Sequence, residues 1–254
     1  MCIFFCNFVA HLVLLTKKMT ILDSISQRRK AGRKMLVRLI DPEKFDGNTR
    51  CDGFSMIFVG GSTAASTEAV VEAVRTKTKA PVVLFPGNVR QFTPKADALL
   101  FLTLMNSRDP LFLIEPQIAA AEAVAASGIE TIPMGYILLD GGKQSAVERV
   151  TGCKAIAQDN EEEIVRTAIA AELMGKKLVY LEAGSGAKCP VKPSIITAVR
   201  SQLHVPLIVG GGIRTTEQLA AAFDAGADIG VIGNLFEENP DETERFITTF
   251  KNRI

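Results

Sequence analysis

Eight short apolar runs, rich in β-branched residues, recur along this chain and are separated mostly by segments with helical periodicity. Nearly continuous apolar character is typical of parallel strands that are buried on both faces. The strands are predicted at 35–40, 54–59, 82–85, 98–102, 131–139, 178–182, 206–209 and 228–232. Eight such units without a change in composition favour one α/β domain, a closed (β/α)8 TIM barrel, over an open doubly wound sheet.

The helical segments also follow the pattern of a barrel, with one exception. The stretch between the third and fourth strands is bounded by Pro86 and Pro94 and is too short for a good helix, so this unit is predicted to lack its helix. Elsewhere the periodicity predicts helices at 21–33, 66–77, 116–127, 160–174, 193–202, 216–224 and 241–251.

The first eighteen residues differ from the rest of the chain. They are strongly apolar, but they are too short to span a bilayer and lack the basic region and cleavage site of a signal peptide. An ordinary amphipathic helix follows Met19. We therefore expect 1–18 to be an extension upstream of a translation start at Met19, with an interfacial anchor as the alternative, and 19–254 to be the barrel domain.

Composition excludes some classes of protein. The 29 Lys and Arg residues against 28 Asp and Glu residues give a net charge of +1, so the chain has no overall electrostatic attraction to nucleic acid. The five cysteines are scattered, and only two histidines accompany them. This distribution favours a reduced, cytoplasmic location over a disulfide framework and argues against a zinc site.

Glycine-rich loops follow several of the predicted strands, and in a barrel of this kind the carboxyl ends of the strands form one functional mouth. Val-Gly-Gly-Gly-Ile-Arg at 209–214 and Gly-Asn at 233–234 follow strands seven and eight. Loops at these positions commonly bind phosphate in this fold. A tight turn would need fewer glycines, so Gly211, Gly212, Gly233 and Asn234 are candidate phosphate-binding residues.

The sixth strand carries Tyr180 and Glu182 and ends in the small-residue loop Ala-Gly-Ser-Gly at 183–186. A carboxylate at the end of a strand, next to a loop with unobstructed backbone N–H groups, suits an anionic ligand. A plain turn between a strand and a helix is the alternative for this stretch taken alone.

Asp41 and Ser62 follow the first two strands and are candidate ligands for Mg2+. Hard oxygen ligands of this kind hold Mg2+ together with substrate phosphates. Alternatively, Asp41 forms an Asx turn before Pro42 and Ser62 caps a helix. Lys44 is either a further diphosphate contact or an ordinary solvated lysine.

Five segments together resemble the geranylgeranylglyceryl phosphate synthase family, which includes bacterial heptaprenyl-using relatives. The resemblance extends from Met19 to the end of the chain, and Tyr-Leu-Glu-x-Gly-Ser-Gly is its most specific motif. The missing third helix is also a feature of that family. The segments are Leu-Ile-Asp-Pro-Glu-Lys at 39–44, Val-Gly-Gly-Ser at 59–62, Tyr-Leu-Glu-Ala-Gly-Ser-Gly at 180–186, Val-Gly-Gly-Gly-Ile-Arg at 209–214 and Ile-Gly-Asn at 232–234.

The resemblance implies a Mg2+-dependent prenyltransferase of membrane ether-lipid biosynthesis. Asp41 and Ser62 would hold Mg2+ and the diphosphate of a polyprenyl donor, with geranylgeranyl as the expected chain. Glu182 would accept the proton of the glycerol hydroxyl, and Tyr180 would fix the glycerol or stabilise allylic positive charge. The implied sn-glycerol 1-phosphate site consists of Tyr180, Leu181, Glu182, Ala183, Gly184, Ser185, Gly186, Gly211, Gly212, Gly233 and Asn234.

We also expect a homo-oligomer, and we leave peripheral membrane association open. One alternative function is a different phosphate-binding barrel enzyme, an isomerase or aldolase acting on a phosphorylated biosynthetic intermediate. Such enzymes usually need a Schiff-base lysine or a pair of carboxylates, and no lysine lies inside a predicted strand end. A non-enzymatic phosphate sensor is the other alternative, but the presence of both candidate ligand sets argues against it.

Overall fold

The computed structural model describes residues 19–61, 67–239 and 241–252. Eight parallel strands, β1 to β8, pair in sequence order, and β8 closes on β1. The predicted barrel is therefore confirmed. The predictions for 1–18 and for Ser62 lie outside the described residues. The strands are Met35–Ile40, Met56–Val59, Val82–Leu84, Ala98–Leu104, Glu130–Leu138, Leu178–Glu182, Leu207–Gly210 and Ile229–Ile232.

Helices surround the barrel, and the third strand–helix unit has only one short 3-10 turn, Val89–Gln91, as predicted. Three short helices, Pro110–Leu113, Ala146–Thr151 and Asn234–Glu238, are not predicted from the sequence, because four to six residues carry too little periodicity to be recognised. The helices α1 to α10 are Ile21–Lys30, Glu68–Lys77, Pro110–Leu113, Glu115–Ser127, Ala146–Thr151, Glu161–Leu173, Pro193–Gln202, Thr216–Asp224, Asn234–Glu238 and Asp241–Phe250.

Two apolar layers form the core, because successive side chains of a strand point to opposite faces. In β1, Met35 and Val37 belong to the cluster inside the barrel, whereas Leu36 and Ile40 belong to the cluster between strands and helices. The strands therefore carry apolar residues on both faces. This explains why they appear in the sequence as continuous apolar runs rather than as alternating ones.

Helix α1 lies against the amino-terminal end of the barrel. Thr20 and Asp23 form a capping box at its start, and Ile25 is buried in the cluster inside the barrel. The backbone N–H groups of Ile21 and Leu22 donate to the Glu130 carboxylate at 2.6 and 2.9 Å. A carboxylate is favourable at a helix N-terminus, so Glu130 fixes α1 across this end of the barrel. The opposite end remains available for ligands.

Candidate active site

The carboxyl ends of the strands open into a cavity of about 410 Å³. The cavity brings together residues from both predicted sites, although they come from distant parts of the chain. Predicted residues that line it are Asp41, Lys44, Tyr180, Glu182, Ser185, Gly186, Gly211, Gly212, Gly233 and Asn234. Leu181 and Ala183 instead pack in the layer between strands and helices, so only their backbone groups can serve a ligand.

Glu182 is the last residue of β6 and lies at the centre of this arrangement. Its side chain is only 6% exposed. Its Oε1 accepts the backbone N–H of Gly184 at 2.7 Å, which fixes the carboxylate against the following loop. Its own carbonyl accepts the N–H of Leu139 at 2.8 Å. The carboxylate is therefore held in one orientation before any substrate arrives.

Burial dominates the electrostatics of Glu182. Removal from water disfavours the charged form and raises the pKa of this carboxyl, while interactions with the Tyr180 hydroxyl and the Gly184 N–H lower the pKa by smaller amounts. A carboxyl with a raised pKa is a stronger base than an ordinary glutamate. Glu182 can therefore accept a proton from a hydroxyl group held beside it.

Tyr180 lies inside the barrel below Glu182 and is fully buried. Its ring stacks on Phe85 with centroids 5.6 Å apart and meets the edge of Tyr136 at 5.4 Å. The hydroxyl has no hydrogen bond of normal geometry within the described parts of the chain. Burial, followed by the charge of Glu182, raises the pKa of the phenol well above its ordinary value, so it stays protonated and faces the carboxylate as a potential donor.

Glycine is required at the end of β7 and directly after it, because other atoms approach these positions closely. A Cβ on Gly210 would come within 2.2 Å of the Tyr180 hydroxyl oxygen, and one on Gly211 within 2.3 Å of Glu182 Oε1. Gly211 and Gly212 also have φ angles of +79° and +70°, which L side chains rarely adopt. Backbone N–H groups in such a loop are free to face an anion, which supports the predicted phosphate site.

Two loops of the predicted phosphate site are directly connected. The Ser185 hydroxyl, in the loop after β6, donates to the Asn234 Oδ1 at 2.7 Å. Asn234 is the first residue of α9, the short helix after β8, and Gly233 is its N-cap. A Cβ on Gly233 would make only ordinary contact, at 3.5 Å from Leu39, so packing alone does not require glycine there.

Asp41 and Lys44 lie on the β1 side of the cavity. Asp41 Oδ1 accepts the Glu43 N–H at 3.1 Å, so the Asx turn considered from the sequence does form. Lys44 Nζ lies 2.8 Å from the Glu237 carboxylate of α9, and this hydrogen bond raises the pKa of the lysine. Lys44 is therefore ion-paired, rather than merely solvated.

The chemistry around Asp41 fits a magnesium ion. The Asp41 carboxylate lines the cavity, and a Cβ on Gly61 would meet its Oδ1 at 3.0 Å, so glycine leaves space beside this oxygen. No cluster of three or more His, Cys, Asp or Glu residues suited to a metal occurs in the described ranges. Mg2+ commonly uses one or two protein oxygens together with substrate phosphates and water, so a single carboxylate is sufficient on the protein side.

An apolar groove extends from the same cavity, and sequence reasoning did not locate its residues. It passes through the unit that lacks a helix and runs beside β4 and α4. Tyr136 also lines the cavity and was missed, because no motif marks a tyrosine in the middle of an apolar strand. Side chains that line the groove include Phe85, Val89, Phe92, Leu99, Phe101, Phe112, Ala120, Val124, Val147 and Val150.

Known proteins resemble this chain over most of its length. A geranylgeranylglyceryl phosphate synthase of Zunongwangia profunda is 50% identical over 226 residues, which cover 85% of this chain and 97% of that protein. One of Flavobacterium johnsoniae is 41% identical over 230 residues, which cover 87% and 95%. The crystal structure of (S)-3-O-geranylgeranylglyceryl phosphate synthase from Thermoplasma acidophilum, in complex with its substrate sn-glycerol-1-phosphate, matches with a TM-score of 0.85 at 34% identity, covering 93% of this chain and 99% of that one.

These matches confirm the predicted family and the prenyltransferase class, and the likeness in structure confirms the predicted barrel. The family profile covers residues 29–253, which is nearly the whole barrel domain. Because both the profile and the relatives extend over far more than half of the sequence, the chain belongs to the PcrB family.

Proposed function

We propose that this protein joins sn-glycerol 1-phosphate to a polyprenyl diphosphate, with geranylgeranyl as the expected chain, through an ether bond in membrane-lipid biosynthesis. The observation that carries the proposal is the lining of the cavity. Glycines with polar side chains and a set of apolar side chains line one space, and Glu182 is among the lining residues. The names of the relatives, all geranylgeranylglyceryl phosphate synthases, support the same substrates.

The phosphate of sn-glycerol 1-phosphate binds at the loops after β6, β7 and β8. Backbone N–H groups of Gly211 and Gly212 and the amide of Asn234 supply the donors, and the Ser185 hydroxyl holds the asparagine in place. This arrangement directs the glycerol part of the substrate toward β6. The glycerol hydroxyl then lies within reach of the Glu182 carboxylate.

Glu182 acts as the base in the transfer. As the bond between the allylic carbon and the diphosphate oxygen breaks, the glycerol oxygen forms the new ether bond to that carbon. The hydroxyl proton passes to Glu182, whose raised pKa suits this task. Diphosphate leaves with the electron pair of the broken bond, so atoms and charge balance. Tyr180 places its ring among the aromatic side chains at the base of the cavity, where it can stabilise positive charge.

Asp41 and Ser62 would hold Mg2+ with the donor's diphosphate, and Ser62 lies outside the described residues. When bound, the ion neutralises charge on the leaving diphosphate. Lys44, held by its ion pair with Glu237, is a further candidate contact for the diphosphate on this side of the cavity. The glycine at position 61 leaves the Asp41 carboxylate accessible from the cavity, which supports this placement.

The apolar groove takes the prenyl chain. Its walls are aliphatic and aromatic side chains, and the absence of a full helix between β3 and β4 provides the space for it. Burial of a long hydrocarbon there is favourable at about 25 cal/mol per Å² of apolar surface removed from water.

Membrane association and self-association are part of the same proposal. Val89 and Val150 line the groove yet remain 42% and 53% exposed, so the edge of the groove is apolar and suits transfer of a lipid from a membrane face. No helix in the described part of the chain combines the length and apolarity needed to cross a bilayer. Co-sedimentation with lipid vesicles tests the first prediction, and analytical ultracentrifugation tests the homo-oligomer.

An assay of ether formation tests the function. The purified protein is incubated with sn-glycerol 1-phosphate and geranylgeranyl diphosphate, with Mg2+ or with a chelator, and lipid-soluble phosphate is measured. We expect product only with Mg2+, and we expect Asp41→Asn to raise the KM of the donor by about tenfold or more, equivalent to about 1.4 kcal/mol. No product from donors of this length or longer would refute the proposal and favour an isomerase or aldolase.

A further inference from the structure

Arg38 is a charged residue at a position where the sequence pattern calls for an apolar one. It lies in the middle of β1, and its neighbours on the same strand face, Leu36 and Ile40, belong to the apolar layer between strands and helices. Its side chain is nevertheless only 4% exposed. Taking a guanidinium out of water costs several kcal/mol, so an arginine here needs a specific role.

The contacts of Arg38 join the loop after β1 to helix α9. Nη1 donates to the carbonyl of Arg50 at 2.8 Å, in the loop after β1, and Nη2 donates to the carbonyl of Phe236 at 3.4 Å, in α9. The guanidinium also lies over the Phe236 ring, with its Cζ 5.5 Å from the ring centroid. Nε has no hydrogen-bond partner within the described ranges, and an unpaired buried donor costs free energy of desolvation. The two carbonyls therefore set the position of the guanidinium.

The two segments that Arg38 joins carry the two proposed anion-binding sides of the cavity. The loop after β1 contains Asp41 and Lys44, and helix α9 begins with Asn234. On the solvent side a second link is formed by Lys44 and Glu237. The Lys44 side chain is 49% exposed, and ion pairs so accessible to water contribute little. The buried contacts, the hydrogen bonds of Arg38 and the packing of Phe54 on Phe236, are therefore better placed to fix the position of α9 relative to the loop after β1. Of these, the Arg38 link is polar and directional.

We propose that Arg38 is a positioning residue that holds the loop after β1 and helix α9 in a fixed relation, so that the donor's diphosphate site and the phosphate site of sn-glycerol 1-phosphate keep a constant separation. This inference rests on the proposed function for the identity of the two anions. Arg38 does not line the cavity. Its effect on catalysis is exerted through the backbone of residues 50 and 236.

Kinetic measurements on Arg38→Met and Arg38→Lys test the proposal. Methionine fills a similar volume without donors, and we expect the KM of both substrates to rise by about tenfold or more while kcat falls by less than about threefold. Lysine retains the charge and can reach one carbonyl, so intermediate KM values are expected. Arg75→Met is the matched control, because Arg75 forms an exposed ion pair with Asp97 away from the cavity, and its kinetics should equal those of the wild type.

A merely structural role predicts a different result. Partial unfolding of Arg38→Met would lower the apparent kcat through loss of active protein and leave both KM values unchanged. KM values within about twofold of wild type in either folded variant would overturn the proposal. If Arg38→Met does not fold, Arg38→Lys carries the test alone, with raised KM values expected for both substrates.

Hydrogen exchange separates failure of this inference from failure of the proposed function, because it needs no substrate. In the substrate-free protein we expect the amides of 43–51 and 234–238 to exchange faster in Arg38→Met than in wild type, with the strands unchanged. Equal exchange in both segments would overturn the link through Arg38 even if the enzyme is active. A wild-type protein without transferase activity would refute the proposed function, while the exchange result would still decide whether Arg38 joins the loops.

Discussion

Glu182 and Gly211 lie so close together that a Cβ on Gly211 would meet Oε1 of the carboxylate at 2.3 Å. The same Cβ would lie 2.7 Å from the N of Gly184, whose N–H the carboxylate accepts. The loop after β7 thus covers the proposed base and its hydrogen bond from one side. Glycine at 211 is as much a part of the site as the glutamate, although it has no side chain to contribute.

Gly211→Ala should therefore disable the enzyme. The new methyl group displaces either Glu182 or the loop, and the φ of +79° costs a further 1–2 kcal/mol, roughly, for an L residue. We expect kcat/KM to fall by about 100-fold, or about 2.7 kcal/mol. Gly47→Ala is the matched control, because a Cβ there meets no atom within 4 Å, and steady-state kinetics should show it to be active. Equal activity of the two variants would contradict this account.

Glu182→Gln should lose at least about 100-fold in kcat, since the amide cannot accept the proton. In the wild type, kcat/KM should rise with pH as Glu182 ionises. Burial raises the pKa of Glu182, so the midpoint of this acidic limb should lie above the ordinary value of 4.5. Initial rates measured across a pH series check both expectations. Turnover of the glutamine variant at the wild-type rate would remove Glu182 from the mechanism.

The same substitution should have a different effect on stability. The pKa of Glu182 is higher in the folded protein than in the unfolded chain, so folding favours its protonated form. The contribution of Glu182 to stability is thus fully present below the unfolded pKa, near 4.5, and is lost as pH rises through the folded pKa. Glu182→Gln removes this loss, so its melting temperature should equal that of wild type in acid and exceed it at neutral pH. Thermal melts of the wild type and the variant, in acid and at neutral pH, test this expectation.

Tyr180→Phe should change the pH profile more than the fold. The ring stays stacked on Phe85 and in edge contact with Tyr136, and the lost hydroxyl has no partner of normal geometry among the described residues. The free energy of unfolding should therefore change by less than about 1 kcal/mol. The hydroxyl lowers the pKa of Glu182. Its removal should move the acidic limb of kcat/KM to higher pH. An unmoved limb would show that the two groups do not interact in the working enzyme.

Ala120→Phe should shorten the groove. Ala120 lines the cavity from α4, and a phenyl group there occupies space proposed for the prenyl chain. The KM for geranylgeranyl diphosphate should rise by about tenfold relative to that for a shorter allylic diphosphate. Ala123→Phe is the control, because Ala123 is exposed on the same helix and does not line the cavity. Donor-length assays on both variants test this, and parallel changes in the two would count against the groove as the prenyl site.

Much of the barrel could be predicted because its signals are local. The continuous apolar runs of β1 to β8 and the Pro86–Pro94 interval each reflect the burial or backbone conformation of a few adjacent residues. The glycines at 211 and 212 and the carboxylate at 182 are also recognisable in the sequence, since a tight loop with positive φ restricts which side chains it can carry. The short helix at Asn234 was missed and was interpreted as a loop.

The sequence by itself determined the order of strands and helices, the family and the strand ends at which we propose ligand binding, because these depend on periodicity and on motifs within a few residues. Only the tertiary structure placed Tyr136 and Phe85 against Tyr180, opened the groove beside α4 and buried Arg38 between two loops. These contacts join residues far apart in the chain. Tyr136 meets Tyr180 because β5 pairs with β6, whereas Arg38 reaches α9 because β8 closes on β1. Strand pairing and barrel closure leave no periodic signal at the positions that they bring together.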